Sequence, residues 1–137
     1  MTDLELKIPG MRNCVADIYL LGAVEADTCR VWVVDPVGAR VEREGPDLFE
    51  AFAAVRSALD SEGVTLRCNG SRVDVYPSAM QRQYKRGRMA YVLTYPRTKT
   101  KAETVDIFAE APPESRFGTV EEQRNWFDDW RHTPFTD

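Results

Sequence analysis

The alternation of apolar and polar residues in the first third of the chain predicts β-structure. Residues 4–8 alternate apolar and charged side chains, which is the period of a half-buried strand. The apolar segment 14–21 and the β-branched and aromatic segment 30–34 predict two further strands. Residues 35–38 have the composition of a turn and lead into a strand at 39–43, so the third and fourth strands should form a hairpin.

A helical repeat of apolar positions follows and predicts one long helix over about residues 47–62. The residues that form this apolar stripe are Leu48, Phe52, Val55 and Leu59. Asp47 can cap the first turn, and Glu50 can reach back to the cap residue. Gly63 suits the left-handed position that ends many helices. We therefore expect a helix that lays one stripe on a sheet.

The dipeptide Asn69-Gly70 between two apolar segments predicts a tight β-hairpin over residues 64–75. A two-residue turn would place Arg67 directly opposite Arg72 on the outer face. Opposed like charges are unfavourable in a sheet, so either Asp74 or a group outside the hairpin should relieve them. The residues expected on the core face are Val64, Leu66, Val73 and Val75.

The remaining elements complete an α+β fold. They are a helical turn at 78–84, a basic loop at 85–88 and strands at 89–95 and 104–108. Thr119 and Glu122 have the spacing of a capping box and open a C-terminal helix over about residues 120–132. We predict a single domain, residues 1–137, with a mainly antiparallel sheet of about six to eight strands, one long helix and a C-terminal helix.

Composition bounds the class of protein. The 137 residues are 43% hydrophobic and 29% charged, which is ordinary for a soluble domain. The three cysteines form no paired spacing, which favours a reducing compartment. No apolar run approaches the ~20 residues needed to cross a bilayer, and the first residues lack the pattern of a signal peptide. We expect a cytoplasmic protein without a membrane partner.

Charge is segregated along the chain. Residues 67–101 carry nine basic groups and one acid, a balance of +8. Residues 1–66 carry six basic and twelve acidic groups, and residues 102–137 carry three and nine, so each flank has a balance of −6. The three balances sum to the net charge of −4. The chain therefore has a cationic centre between acidic flanks.

The cationic centre supplies a candidate anion-binding site. Its members are Arg67, Arg72, Arg82, Lys85, Arg86 and Arg88. Guanidinium groups bind phosphate or carboxylate in a bidentate way, and interleaved tyrosines are typical of surfaces that stack bases. The alternative is that these cations are solvated or pair with the acidic flanks of the same fold. The net acidity counts against non-specific binding of nucleic acid.

The C-terminal helix supplies a candidate partner interface formed by Trp126, Phe127 and Trp130. Large aromatic side chains anchor many protein interfaces. The alternative is that this stripe packs on the protein's own sheet.

No catalytic, metal or cofactor motif is present, so we expect no metal and no cofactor. Cys68 would need a nearby base to act as a nucleophile, and the one histidine of the sequence, His132, lies near the far end of the chain. An enzyme remains a third alternative, with a site formed by Arg72, Asp74, Tyr76 and Tyr91.

Four short segments carry a resemblance to a group of bacterial proteins. They are Cys68–Gly70, Asp74–Met80 (DVYPSAM), Gly87–Leu93 (GRMAYVL) and Val105–Phe108 (VDIF). Over roughly residues 59–130 the chain resembles small uncharacterised proteins of actinomycete-type bacteria. The resemblance implies a bacterial, cytoplasmic origin and no particular activity.

Together these observations favour a non-catalytic bacterial binding protein. Its acidic flanks would steer the encounter with a basic protein partner, as in toxin-neutralising immunity proteins, to which it is similar only in size, acidity and fold class. The alternative function is the binding of an anion or nucleic acid through residues 67–101. The sequence leaves the oligomeric state open.

Overall fold

The first half of the chain forms a four-stranded antiparallel sheet followed by a long helix. The computed structural model describes residues 3–7, 15–20, 28–34, 39–99 and 101–135. The strands of this sheet are β1 (Asp3–Lys7), β2 (Val15–Leu20), β3 (Cys29–Val34) and β4 (Arg40–Gly45), in the order β1-β2-β3-β4. All four were predicted, whereas the turn predicted at 35–38 lies outside the described residues.

One face of strand β3 is apolar and must pack against another element. Cys29, Val31 and Val33 alternate along it and are fully buried, so one face of the strand belongs to the core. On the other face, the guanidinium of Arg40 lies 4.4 Å from the centre of the Trp32 ring. The buried face is covered by helix α1 (Leu48–Asp60), which contacts β3 and β4.

Helix α1 forms where the apolar stripe and the cap predict it. Asp47 accepts a hydrogen bond from the backbone N–H of Glu50 at 2.8 Å, and Gly63 has a φ of 73° just beyond the helix. The stripe Leu48, Phe52, Val55 and Leu59 is buried. The carboxylate of Glu50 does not complete a capping box, because it binds Arg82 and Arg124 instead.

The second half forms a smaller sheet and two helices. Its strands are β5 (Val75–Tyr76), β6 (Met89–Val92) and β7 (Glu103–Asp106), all antiparallel in the order β5-β6-β7. Helix α2 (Ala79–Tyr84) and helix α3 (Val120–Arg131) both begin with complete capping boxes. The α+β class with antiparallel strands, one long helix and a C-terminal helix is confirmed. The seven strands described lie in two sheets instead of the single sheet that we predicted.

The hairpin predicted over residues 64–75 is wrong. Asn69–Ser71 form one turn of 3₁₀-helix, and Arg67 does not face Arg72. Cys68 instead forms an isolated antiparallel bridge with Glu110, and Arg72 forms one with Phe117. Each arm of the predicted hairpin therefore pairs with a later segment of the chain.

The physical reason is the environment of the turn. The backbone N–H of Asn69 donates to the carbonyl of Ala109 at 2.9 Å, and that of Gly70 donates to the carbonyl of Ile107 at 2.8 Å. Gly70 is needed for close approach, because a Cβ there would lie 2.9 Å from the Phe52 ring. The turn is buried under α1 and cannot project into solvent as a hairpin loop would.

One hydrophobic core joins the two sheets. Phe52 of α1 lies against Phe108, with ring centres 5.1 Å apart, and buried residues of both sheets belong to the same cluster. Leu66, Val73 and Val75 are buried as expected, although they do not form one strand face. Among the residues that the structure describes, no helix has the length and apolar character needed to span a membrane.

Candidate functional site

The arginines of the cationic centre divide into two groups, and the first group is neutralised within the fold. Arg72 binds Asp74 in a bidentate way, with Nε–Oδ1 and Nη2–Oδ2 distances of 2.9 and 3.0 Å. A further bond runs from Nη1 to the side chain of Asn69 at 3.3 Å. Arg88 binds Asp106 at 3.1 Å. Neither guanidinium is presented as a free anion site.

Arg82, the third member of this group, pairs with two acids. Its Nη1 lies 2.9 Å from Asp47 and 3.1 Å from Glu50, so it neutralises both acids at the start of α1. The guanidinium also lies 5.1 Å from the ring centre of Phe49 and 5.4 Å from that of Tyr76. Burial alone would lower the pKa of Arg82, but the hydrogen bond and attraction to Asp47 and the attraction to Glu50 outweigh it, and the pKa is raised.

The second group comprises Arg67, Lys85 and Arg86. In the described part of the chain, no carboxylate lies within ion-pair distance of any of them. Arg67 is exposed and stacks on Phe117 at 4.9 Å. Arg86 has a φ of 56°, and its carbonyl accepts a hydrogen bond from the N–H of Leu48 at 2.7 Å. The anion-binding site stays a prediction, and of its six members Arg67, Lys85 and Arg86 are the ones that still support it.

The aromatic stripe of α3 is used partly by the fold itself. Phe127 stacks on Tyr76 with ring centres 3.9 Å apart and nearly parallel planes. Trp130 donates from Nε1 to the carbonyl of Thr94 at 2.8 Å, which fixes the orientation of its ring. Phe127 therefore helps to dock the helix on β5, and it also lines a surface cleft of about 360 Å³ together with Tyr76. Its assignment to a partner interface stays a prediction.

Trp126 and Trp130 line a small pocket at the surface. Its other walls are Tyr95 and Asp129, and its volume is about 250 Å³. Tyr95 is 67% exposed. Sequence reasoning did not connect Tyr95 with α3, because the contact joins the loop after β6 to a helix some thirty residues later.

A larger cleft of about 570 Å³ lies between the end of α1 and the start of α3. The first N–H groups of α3 already have acceptors there: Val120 donates to Asp60 Oδ2 at 3.0 Å, and Glu122 donates to Thr119 at 3.1 Å. Hydrogen bonds from Thr119 lower the pKa of Glu122. The side chains of Asp60 and Thr119 thus cap these two N–H groups at the helix start.

Sequence reasoning missed a buried polar network centred on Arg56. Its Nη1 donates to the carbonyl of Gly70 at 2.7 Å and to Gln123 Oε1 at 2.9 Å, and its Nη2 donates to the carbonyl of Gly118 at 3.0 Å. Burial lowers the pKa of Arg56 to about 10. A signal was present, because Arg56 falls on the apolar stripe of α1 between Phe52 and Leu59.

Gln123 completes the network from α3. Its Nε2 donates to the carbonyls of Gly70, Arg72 and Val75 at 2.9, 2.8 and 3.1 Å. Because all its partners are main-chain carbonyls and Arg56, the network satisfies groups that the fold buries and leaves none of its own for a ligand. It ties α3 and the turn at Gly70 to α1.

The candidate nucleophile, Cys68, lies in the hydrophobic core. Cys68 is fully buried, its Sγ lies 3.8 Å from Ser71 Oγ, and burial raises the pKa of the thiol. His132 is exposed and lies against the carbonyl of Asp128 at 2.7 Å. Within the described ranges, no three histidine, cysteine or carboxylate side chains are placed to hold a metal ion.

The alternative enzyme site also serves the fold. Arg72 is bound to Asp74, and the ring of Tyr76 contacts both Phe127 and Phe49. Tyr91 is paired with Tyr76 in the β5–β6 register. Arg72 and Tyr76 are thus both engaged in contacts within the fold, and the enzyme site stays a prediction.

Fold and surfaces together define a small α+β protein with two antiparallel sheets and an aromatic pocket on its C-terminal helix. Comparison of the sequence with models of known protein families and with curated proteins finds no match.

Proposed function

We propose that this is a non-catalytic binding protein that docks a basic protein partner on the surface around the pocket of α3. We call this surface the aromatic face and define it by Tyr95, Trp126, Asp129, Trp130 and Phe135. The observation that carries the proposal is the exposure of its rim. Tyr95 and Phe135 are 67% and 48% exposed, and the two indoles lie beside Tyr95 in the pocket.

Aromatic side chains at such a rim favour a protein partner. They bury a large area with little loss of conformational freedom and are enriched among the residues that dominate binding energy. Exposed acids without an ion pair in the described ranges, Glu121 and Asp129, lie on the same helix and favour a basic partner. A cationic toxin would be one such partner, which keeps the toxin-neutralising hypothesis within this proposal.

The test uses two tyrosines of matched exposure. Tyr95 lies on the aromatic face, and Tyr84 of α2, which is 71% exposed, does not. A photo-crosslinking amino acid is placed at each position in turn in cells that produce the protein, and crosslinked proteins are identified by mass spectrometry. We expect a basic protein to be captured from position 95 and not from position 84.

The captured protein is then purified, and its affinity is measured calorimetrically. Trp126→Ala should weaken binding at least about tenfold, as for a hot-spot residue, whereas Tyr84→Ala should leave it unchanged. Equal capture at both positions, or an affinity unaffected by Trp126→Ala, would contradict the proposal.

A second function is favoured by a different observation, the absence of acidic partners for Arg67, Lys85 and Arg86 in the described ranges. We propose as the alternative that they bind an anion such as a nucleic-acid phosphate. Titration with short DNA and RNA at several salt concentrations, with inorganic phosphate as competitor, tests this directly.

The control for this alternative is a variant with the same change in charge. Replacing Arg67, Lys85 and Arg86 by glutamine should abolish binding and its salt dependence. Replacing three other exposed basic residues, Arg43, Lys101 and Arg116, should leave most of the binding intact. Equal losses in the two variants would show a general charge effect and no site.

A further inference from the structure

The pocket of the aromatic face has the size of a site for one side chain. Tyr95 enters it from the loop after β6, and Trp126, Asp129 and Trp130 enter from successive turns of α3. Its volume of about 250 Å³ lies below the ~300–1,000 Å³ of pockets that enclose whole small molecules. An occupant would therefore be a single group presented by something larger.

The chemistry of the walls selects a cation. Two indoles and a phenol present ring systems whose faces carry negative electrostatic potential, and indole is the strongest partner for a cation among the aromatic side chains. The one charged residue among the four is Asp129. Both kinds of group attract an ammonium or a guanidinium and repel a carboxylate.

The two neighbouring acids of α3 differ in a way that supports this choice. The carboxylate of Asp128 is bound by Arg131 at 2.9 Å and lies 4.0 Å from His132. No cation among the described residues lies within ion-pair distance of the carboxylate of Asp129. Asp128, which lies outside the pocket, is therefore paired within the fold, whereas Asp129, which lines the pocket, has no ion pair among the described residues.

The aromatic face already binds one guanidinium from its own chain. Arg97 lies 4.7 Å from the ring centre of Trp130 and 4.2 Å from that of Phe135, and it donates to the carbonyls of Arg131 and Thr133 at 2.9 and 3.3 Å. These two acceptors are main-chain oxygens, and Arg97 does not line the pocket. Since Trp130 is also fixed by its bond to Thr94, little ordering is required when a second cation enters.

We propose that the pocket of Tyr95, Trp126, Asp129 and Trp130 receives the cationic side chain of a lysine or arginine of the protein partner. This inference rests on the proposed function and names the group on the partner that the pocket would recognise. The aromatic walls bind the cation and its methylene groups, and Asp129 sets the sign of the charge that is accepted.

The test uses the indole N–H signals as separate reporters in heteronuclear NMR spectra of the whole chain. The sequence has three tryptophans, and the third, Trp32, lies in β3, outside the pocket. The probes are three blocked tripeptides, glycine-X-glycine, with lysine, arginine or norleucine at X. We expect saturable shifts of the Trp126 and Trp130 signals with lysine or arginine, none with norleucine, and no shift of Trp32.

Two isosteric variants make the result specific. Asp129→Asn should weaken peptide binding about tenfold, while Asp128→Asn, which removes the neighbouring and already paired charge, should not change it. Both residues are exposed, so neither substitution should disturb the fold. The same spectra show directly whether each variant is folded. Equal effects of the two variants, or equal shifts with the norleucine peptide, would overturn the inference.

The outcome separates this inference from the proposed function. A partner captured at Tyr95 whose affinity falls with Trp126→Ala but not with Asp129→Asn would leave the docking face standing and overturn the cation pocket. Broadening of the Trp126 and Trp130 signals with protein concentration alone, without peptide, would show that a second copy of the chain occupies the face, and this too would overturn the inference.

Discussion

The buried network of Arg56 and Gln123 gives a prediction that opposes simple charge counting. Arg56 is buried with hydrogen bonds only to uncharged acceptors, so Gln123→Glu would place a carboxylate next to it. Pairing of opposite charges alone would then make the variant more stable. The hydrogen bonds of the amide group indicate the reverse.

The magnitude follows from what the amide nitrogen of Gln123 does. It donates to three main-chain carbonyls at 2.8 to 3.1 Å, and in the variant an oxygen acceptor takes its place against them. The amide group has two N–H hydrogens, so the three contacts share two donors, and the loss of both costs about 1–2 kcal/mol each, or about 2–4 kcal/mol in total. A charged bond to Arg56 in place of a neutral one returns about 1–2 kcal/mol. The variant should therefore be less stable by about 1–2 kcal/mol.

Urea denaturation at neutral pH, followed by far-UV circular dichroism, measures this difference in the free energy of unfolding. The control is Gln83→Glu on α2, where the side chain is exposed and the same substitution should change stability by less than about 0.5 kcal/mol. If Gln123→Glu is as stable as the parent protein or more stable, the carbonyl network is not what holds α3, and the reasoning fails.

Three further predictions concern the caps and the turns. Glu122 has a lowered pKa in the fold, so its contribution to stability is present above the unfolded-state pKa and is lost as the pH falls through the folded-state pKa. Glu122→Gln keeps the capping acceptor, so in urea titrations it should lose less stability than the parent protein between about pH 5 and pH 3. An equal loss in the two proteins would count against this cap. Gly70→Ala should lower the free energy of unfolding by about 1–3 kcal/mol, because the added Cβ overpacks the core. Gly63→Ala, in open space at a φ of 73°, should lower it by about 1 kcal/mol through backbone strain. Thermal unfolding measures both, and a smaller loss at Gly70 than at Gly63 would refute the packing argument. Asp47→Asn keeps the helix cap but removes the charge that faces Arg82, so urea denaturation should show a loss of about 1–2 kcal/mol, and unchanged stability would mean that the ion pair contributes nothing.

The helices were predictable because their signals are local. The caps Asp47 and Thr119 each act on a residue three positions later, and the stripe of α1 is read from its own thirteen residues. No knowledge of the tertiary structure was required for either helix.

The hairpin failed for the opposite reason. Asn69-Gly70 is a strong local signal for a turn, but the N–H groups of that turn bond to carbonyls of Ile107 and Ala109, almost forty residues later. The turn forms where the signal lies, and tertiary pairing decides its type and partners. A single sequence does not show which distant segment will supply the acceptors.

The polar network lies between these cases. Arg56 and Gln123 each fall on the apolar stripe of a helix, and a polar residue in such a place indicates a buried hydrogen-bonded group. The pattern shows that partners must exist. Their identity as the carbonyls of Gly70 and Gly118 depends on the loop conformation, which the pattern does not contain.

Pairing within the fold also changes what the segregated charge of the chain means. Arg82 and Arg88 of the cationic centre bind Asp47 and Asp106, one from each acidic flank, so part of that segregation holds the folded chain together. The groups that matter for binding are then those that the fold leaves without a partner. On the acidic side Asp129 is such a group, and it lies beside aromatic rings in a pocket of the size of a side chain. The specificity that we propose therefore comes from its position and not from the number of charges around it.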